Sequence, residues 1–187
     1  VQQKGGAVGS TVLYPLGLRV ANAVTSYMGY MEKTVWPNPL VFFYPYAGSL
    51  SSWKVMGSAF ALIAVSVLGI RSAKRCPWFI VGWLFYLGTL VPVIGFVQVG
   101  GQAMADRYTY IPIVGLFIML AWGFSTLIAH WHSRKFVLVL TVLMSLVSCM
   151  FLTWRQVGVW SDSVKLFDHA IRMTPNNFMA HNNLGYI

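Results

Sequence analysis

Asp106 and Arg107 are the adjacent charged residues best placed to do chemistry. Asp106 is the only acid between Glu32 and Asp162, and the pair stands at the mouth of a long apolar run. An arginine guanidinium presents a planar fork that matches two oxygens of a phosphate, and a neighbouring carboxylate can orient it. Tyr108 and Tyr110 follow and offer aromatic faces for a sugar ring or an apolar chain. Asp106, Arg107, Tyr108 and Tyr110 are therefore a candidate phosphate site. The competing reading is a simple ion pair whose tyrosines belong to an interfacial aromatic belt.

Other polar residues carry weaker signals. Gln98, Gly100, Gly101 and Gln102 form a short segment where glycine permits close backbone approach, either lining the same site or reversing the chain. Glu32 and Lys33, beside a Pro-Asn-Pro segment, either face a channel or stand as an exposed interfacial pair. His130 and His132 flank Trp131 with no carboxylate or cysteine nearby, which makes them poor metal ligands. His169, His181, Asp162 and Asp168 fall in a polar region where surface and packing roles dominate. Cys76 and Cys149 lie in separate apolar stretches without a CxxC, so neither a disulfide framework nor a metal site follows. No residue pattern assigns a cofactor.

The elements that must position these residues are set by composition. Thirteen Lys and Arg against four Asp and Glu give +9 over 187 residues, yet only 9% are charged and 57% are hydrophobic. A nucleic-acid binder spreads many cations over a polar surface; here they are few and divided by apolar runs. Nucleic acid is excluded as a partner, and membrane lipid is the expected solvent. Four segments approach the roughly 20 apolar residues that cross about 30 Å of hydrocarbon as helix. They are Trp53 to Ile70, Pro77 to Val97, Ile111 to Ala129 and Phe136 to Trp154, with a kink or helix end expected near Pro92. Arg71, Lys74 and Arg75 in the first connection, with Arg134 and Lys135 in the third, outnumber Lys54, Arg107 and Arg155 on the opposite side. The positive-inside rule then places Arg107 outside.

Before the first span, Leu13, Leu16, Val20, Val24, Tyr27 and Met31 make one helical stripe, with Arg19, Asn22, Ser26, Glu32 and Lys33 on the other face. The pattern predicts a helix lying in the outer interface, with a poor transmembrane helix as the alternative. In WPNPLVFFYPY, residues 36 to 46, three prolines forbid a long helix and five aromatics favour the headgroup region. After Trp154 the chain turns polar, and an amphipathic helix with Val164, Phe167, Ala170 and Ile171 on one face ends before Pro175. A second helix starts around Phe178. Val1 is not a start methionine, VQQKGGAVGS lacks the apolar run of a signal peptide, and the chain stops inside a motif. An internal piece of a longer protein is expected.

Phe167, Ala170 and Pro175, then Ala180, Leu184 and Gly185, have the spacing of the second helix of one tetratricopeptide repeat and the first helix of the next. Small residues let such helices approach, Pro closes each unit, and further repeats are expected because one pair cannot bury its own faces. Three long stretches carry a wider resemblance: VANAVTSYMGYMEKTVWPNPLVFFYPY, GTLVPVIGFVQVGGQAMADRYTYIPIVGLFI and LFDHAIRMTPNNFMAHNNLG. The chain resembles, over most of residues 18 to 155, bacterial polytopic proteins with C-terminal tetratricopeptide repeats. These are related to the transmembrane-and-tetratricopeptide-repeat O-mannosyltransferases. More distantly, RYxYxP at Arg107 to Pro112 is similar to a segment of protein O-mannosyltransferases of the GT-C superfamily.

The resemblance implies transfer of a sugar from a polyprenyl-phosphate carrier to a protein acceptor on the extracytoplasmic side. Arg107 and Asp106 would hold the carrier phosphate, and Tyr108 and Tyr110 the isoprenoid or the sugar. The family's acidic catalytic motif lies in a first external loop that this chain does not include, so no catalytic residue is expected here and the chain alone is expected to be inactive. The expected fold is all-α: an interfacial helix and Pro/aromatic loop over 1–52, four transmembrane helices over 53–154, and the start of an extracytoplasmic repeat solenoid over 155–187. The expected location is the bacterial inner membrane. The rival reading is a non-catalytic, membrane-anchored repeat scaffold for an envelope complex.

Overall fold

The computed structural model describes residues 15–37, 40–46, 50–95, 102–130 and 135–187. The fold is all-α, with helices α1 (Leu16–Val35), α2 (Ser52–Ser72), α3 (Pro77–Leu90), α4 (Pro112–His130), α5 (Lys135–Trp160), α6 (Ser163–Met173) and α7 (Phe178–Leu184). Two short strands, β1 (Tyr44–Pro45) and β2 (Gln102–Met104), pair antiparallel, with Tyr44 opposite Met104 and an irregularity before Pro45. A single 3₁₀ turn, Asp106–Thr109, joins β2 to α4.

Among the described residues two helices, not the expected four, are long and apolar enough to cross a bilayer: α2, and α5 over Val139–Trp160. Nearly all of each is unburied in the fold, and side chains such as Phe60, Leu146, Met150 and Trp154 need an apolar surrounding that lipid supplies. The second expected span stops early. Pro77 occupies the first turn of α3, where its missing N–H is harmless, but Pro92 follows Leu90 in a turn that ends at Gly95 with φ +102°. Its 14 residues reach about 21 Å, short of the hydrocarbon thickness. The apolar part of α4 within the described residues is Pro112–Thr126. In the opposite sense, α5 runs through the anticipated end at Trp154 to Trp160. Gln98, Gly100, Gly101, Trp131, His132 and Arg134 lie outside the described residues.

The core gathers where α1, α3 and α4 meet, around Tyr27, Tyr30, Trp83, Tyr86, Leu90 and Leu116. Trp83 stacks on Tyr86 and donates its indole N–H to Ser66 of α2 at 2.9 Å, so the largest core side chain has no orphaned polar atom. The Tyr86 hydroxyl donates to the Tyr27 carbonyl, and the Tyr27 hydroxyl to the Leu87 carbonyl at 2.9 Å.

The face that α1 buries is only partly its apolar stripe, which reaches the core at Tyr27 and Met31. Leu16 and Val20 are exposed, whereas Asn22 and Ser26, expected on the polar side, are buried with Ala23, Tyr27 and Tyr30. The cause is the extended segment that this face covers. Asn22 Nδ2 donates to the Ala103 carbonyl at 3.0 Å, and the Tyr30 hydroxyl both receives the Ala105 N–H at 3.0 Å and donates to its carbonyl at 3.2 Å. A short strand has few ladder partners, and buried backbone groups must find others. The polar side chains of α1 supply them.

Helices α3 and α4 touch at two glycines. A Cβ on Gly82 would lie 2.5 Å from the Gly115 carbonyl oxygen, and one on Gly115 would lie 2.9 Å from the Tyr86 backbone nitrogen. Backbone cannot retreat as a side chain can, so this contact fixes the helix separation and where the 3₁₀ turn emerges. Gly115→Ala should destabilise the protein by roughly 1 to 3 kcal/mol. Gly88→Ala, which meets nothing within 4 Å, should be neutral or slightly stabilising. Thermal unfolding of both variants in the same detergent checks the contrast.

Candidate functional site

Residues 40–46 form a strap across the end of the helices, and Asp106 is its anchor. Oδ2 of Asp106 accepts the Val41 N–H at 3.0 Å and the Tyr44 hydroxyl at 3.0 Å. The Val41 N–H is shared with the Tyr44 oxygen at 2.8 Å, and Lys33 Nζ donates to that same oxygen at 2.7 Å. Ala105, extended at the head of the 3₁₀ turn and gripped by Tyr30, aims Asp106 toward the strap. The other carboxylate oxygen, Oδ1, is buried and has no hydrogen-bond partner among the described residues.

Burial pushes the Asp106 carboxyl above the usual carboxylate range, opposed by the Lys33 ammonium and the two hydrogen bonds. The same burial lowers Lys33 and raises Tyr44. Desolvation thus outweighs attraction for both the acid and the base. Stability alone does not favour holding a carboxylate and an ammonium this way, and such groups concentrate where ligands are handled.

The sequence expectation that Asp106 orients Arg107, like the alternative that the two simply pair, is not what the structure holds. Consecutive residues of a 3₁₀ turn point about 120° apart. Asp106 turns toward the strap, while the exposed Arg107 lies over the Tyr108 ring at 5.1 Å and donates to Gln102 Oε1 at 3.3 Å. Gln102 Nε2 in turn donates to the Tyr108 hydroxyl at 2.6 Å. Tyr108 therefore supports Arg107 from below and packs on the core, whereas Tyr110 is exposed at the rim.

A cavity of about 760 Å³ opens beside these groups. Lys33, Asp106, Arg107 and Tyr110 line it together with Ile113 of α4 and Leu152, Gln156, Val157 and Trp160 of α5. Glu32 is exposed, so the expected Glu32 and Lys33 pair divides: only Lys33 reaches the cavity. Among the described residues no three His, Cys, Asp or Glu gather to hold a metal.

The outer face of the strap is covered by α6 and α7. Val41 is buried with Ala170 and Ala180, while Phe42 meets Phe167 and Phe43 meets Phe178 edge to face, each at 5.5 Å. Asn177, fully buried, caps α7 by accepting the Ala180 N–H at 3.1 Å and donates to the Phe43 carbonyl at 2.9 Å. Of the expected repeat-packing residues, Phe167, Ala170 and Ala180 join this contact; Pro175 lies in the exposed turn, Leu184 is half-buried and Gly185 exposed. The small-residue seam thus receives the strap. Sequence reasoning placed that loop among lipid headgroups and did not single out Tyr44 or Asn177; the available signal was a polar Asn followed by a helix-length run.

These features define an all-α protein in which, among the described residues, two helices are long and apolar enough to cross a membrane, with a charged cavity capped by a strap and a helix pair. No family model and no solved structure matches the chain. It is 25% identical over 174 residues, 90% of its length, to a protein named protein O-mannosyl-transferase F38B6.6 of Caenorhabditis elegans. It is 25% identical over 146 residues, 75% of its length, to protein O-mannosyl-transferase TMTC4 of Homo sapiens, and 26% identical to TMTC4 of Mus musculus. The relationship is distant and extends over most of the chain, which spans 24% of the first of these relatives and 20% of the other two.

The raised Asp106 has a consequence for stability. Between the ordinary carboxylate range near pH 4 and its own higher value, the folded state binds this proton more tightly than the unfolded state, so stability falls as pH rises through that window. Asp106→Asn retains an oxygen for Val41 and Tyr44 but cannot titrate. Unfolding midpoints from about pH 4 to pH 7 should decline less steeply with pH in Asp106→Asn than in the wild type.

Proposed function

We propose that the chain is the carrier-binding part of a GT-C-like glycosyltransferase of the bacterial inner membrane, which moves a sugar from a polyprenyl-phosphate carrier to a protein acceptor. What supports the reading most is that one cavity is lined both by two cations, Arg107 and Lys33, and by large apolar side chains such as Ile113, Leu152, Val157 and Trp160. An isoprenoid phosphate is a compact anion joined to an apolar chain. Part of the lining belongs to α5, which carries exposed apolar side chains such as Leu146, Met150 and Trp154 that could meet a lipid chain.

In this reading Arg107 holds the carrier phosphate, with Gln102 and Tyr108 fixing its guanidinium in place of the carboxylate first expected. Tyr110 at the rim meets the first isoprene units or the sugar. Helices α6 and α7 begin a tetratricopeptide-repeat region that recruits or presents the protein acceptor, on the extracytoplasmic side. The names of the distant relatives support a mannosyl-transferase-like activity. The residues described here bind and position, and the acid or base of the transfer step belongs elsewhere.

Arg107→Lys keeps the charge but loses the fork, and should weaken carrier binding about tenfold to 150-fold, the equivalent of roughly 1.5 to 3 kcal/mol for a charge-assisted hydrogen bond. Arg107→Ala should weaken it further. Binding of a short-chain polyprenyl phosphate, measured per folded molecule, checks this, and unchanged affinity in Arg107→Ala would remove the site from the proposal.

A further inference from the structure

The turn between α2 and α3 gathers three cations that the fold does not neutralise. Helix α2 ends at Ser72, but its path runs on: the Arg75 and Cys76 N–H groups both donate to the Ser72 carbonyl, at 2.9 and 2.7 Å, and Ala73 keeps helical dihedrals. Arg71, Lys74 and Arg75 therefore stand three and four residues apart on one helical turn, the spacing at which side chains meet on one face. All three are exposed, and none of the three side chains makes an ion pair or hydrogen bond among the described residues. The sequence holds no acid between Glu32 and Asp106. Like charges at this spacing repel, and an anion from outside the chain relieves them. The turn is also held in place, because α2 and α3 touch beside it: a Cβ on Gly69 would lie 3.1 Å from the Ile80 side chain and 3.4 Å from Phe79.

We propose that Arg71, Lys74 and Arg75 form a binding site for the headgroups of acidic phospholipids. The depth of the cluster identifies the anion. Leu68 and Ile70, just before it, are exposed apolar side chains of a helix long enough to cross a bilayer, and the 21 residues of that helix reach about 31 Å, the thickness of the hydrocarbon. A cluster at the end of such a helix stands among headgroups, and Trp78, half-buried in the first turn of α3, supplies the aromatic ring common at that level. Each guanidinium can take two oxygens of a phosphodiester, with the Lys74 ammonium as a third charge. A zwitterionic headgroup brings its own cation, which competes with these three; an acidic one does not. None of the three lines the cavity beside Arg107, so the site is separate from the carrier reading and stands without it. The positive-inside rule accounts for cations that stay on one side during insertion, but it asks for no lipid preference in the folded protein. That difference is measurable.

The test places the purified chain in nanodiscs made from an equal mixture of phosphatidylcholine and phosphatidylglycerol, and native mass spectrometry counts the lipids that stay bound on release. Phosphatidylglycerol should be retained about fivefold or more over phosphatidylcholine, the equivalent of at least one cation–headgroup contact of about 1 kcal/mol. Equal retention of the two lipids would overturn the proposal. Arg75→Gln should reduce the preference, whereas Lys54→Gln, which removes the same charge near the start of α2, should leave it as in the wild type. Equal losses in the two variants would mean that net charge and not this cluster attracts the lipid, and would also overturn it. If Arg75→Gln does not fold, the wild type alone decides: the preference should shrink as sodium chloride is raised, because exposed charges are screened, and a preference indifferent to salt would contradict the site. Inorganic phosphate at matched ionic strength should displace no more phosphatidylglycerol than chloride does; efficient displacement by phosphate would assign the cluster to a soluble anion instead of a headgroup.

Discussion

One carboxylate oxygen holds the outer part of this protein together. Asp106 Oδ2 takes the N–H of Val41 and the hydroxyl of Tyr44, and these two residues fix the strap whose other face carries α6 and α7. A proline-flanked segment of seven described residues has no internal ladder beyond the two residues of β1, so its shape must come from contacts at each end. The cavity-side contact is hydrogen-bonded and desolvated, and the outer one is aromatic and closed by the buried Asn177.

The packing of α1, α3 and α4 sets where that carboxylate stands. Gly82 against Gly115 brings α3 and α4 together, the core tyrosines of α1 hold Ala105, and the turn that follows sends Asp106 and Arg107 in different directions. The separation has a chemical use. Had the two formed an ion pair, each would have neutralised the other, whereas here the guanidinium remains directed by Gln102 and Tyr108 and the carboxylate by the strap.

Much of this was legible in the residues. Hydrophobic runs located α2, α4 and α5 to within a few residues, Pro92 announced the end of α3, and the spacing of Phe167, Ala170 and Ala180 marked the face on which α6 and α7 pack. The family resemblance agrees with the comparisons at the level of distant similarity to named O-mannosyl-transferases. What hydropathy missed has one physical origin. It counts apolar residues and says nothing of which polar ones will find partners, so Asn22 and Ser26 read as polar-face residues and Asn177 was not singled out, although all three are buried. Their burial depends on backbone groups 81 residues away for Asn22 and 134 away for Asn177, a separation no local pattern encodes. Likewise, adjacency in sequence made a pair of Asp106 and Arg107, and only the turn geometry divides them.

The Asp106 carboxylate pins the strap, and the Val41 amide reports it directly. In Asp106→Ala, hydrogen exchange at Val41 should rise toward the rate of an unprotected amide, together with faster exchange over residues 40–46, while the amides of α3 remain as protected as in the wild type. Unchanged protection at Val41 in a variant whose α3 is intact would show that the strap holds without the carboxylate, and would contradict the account.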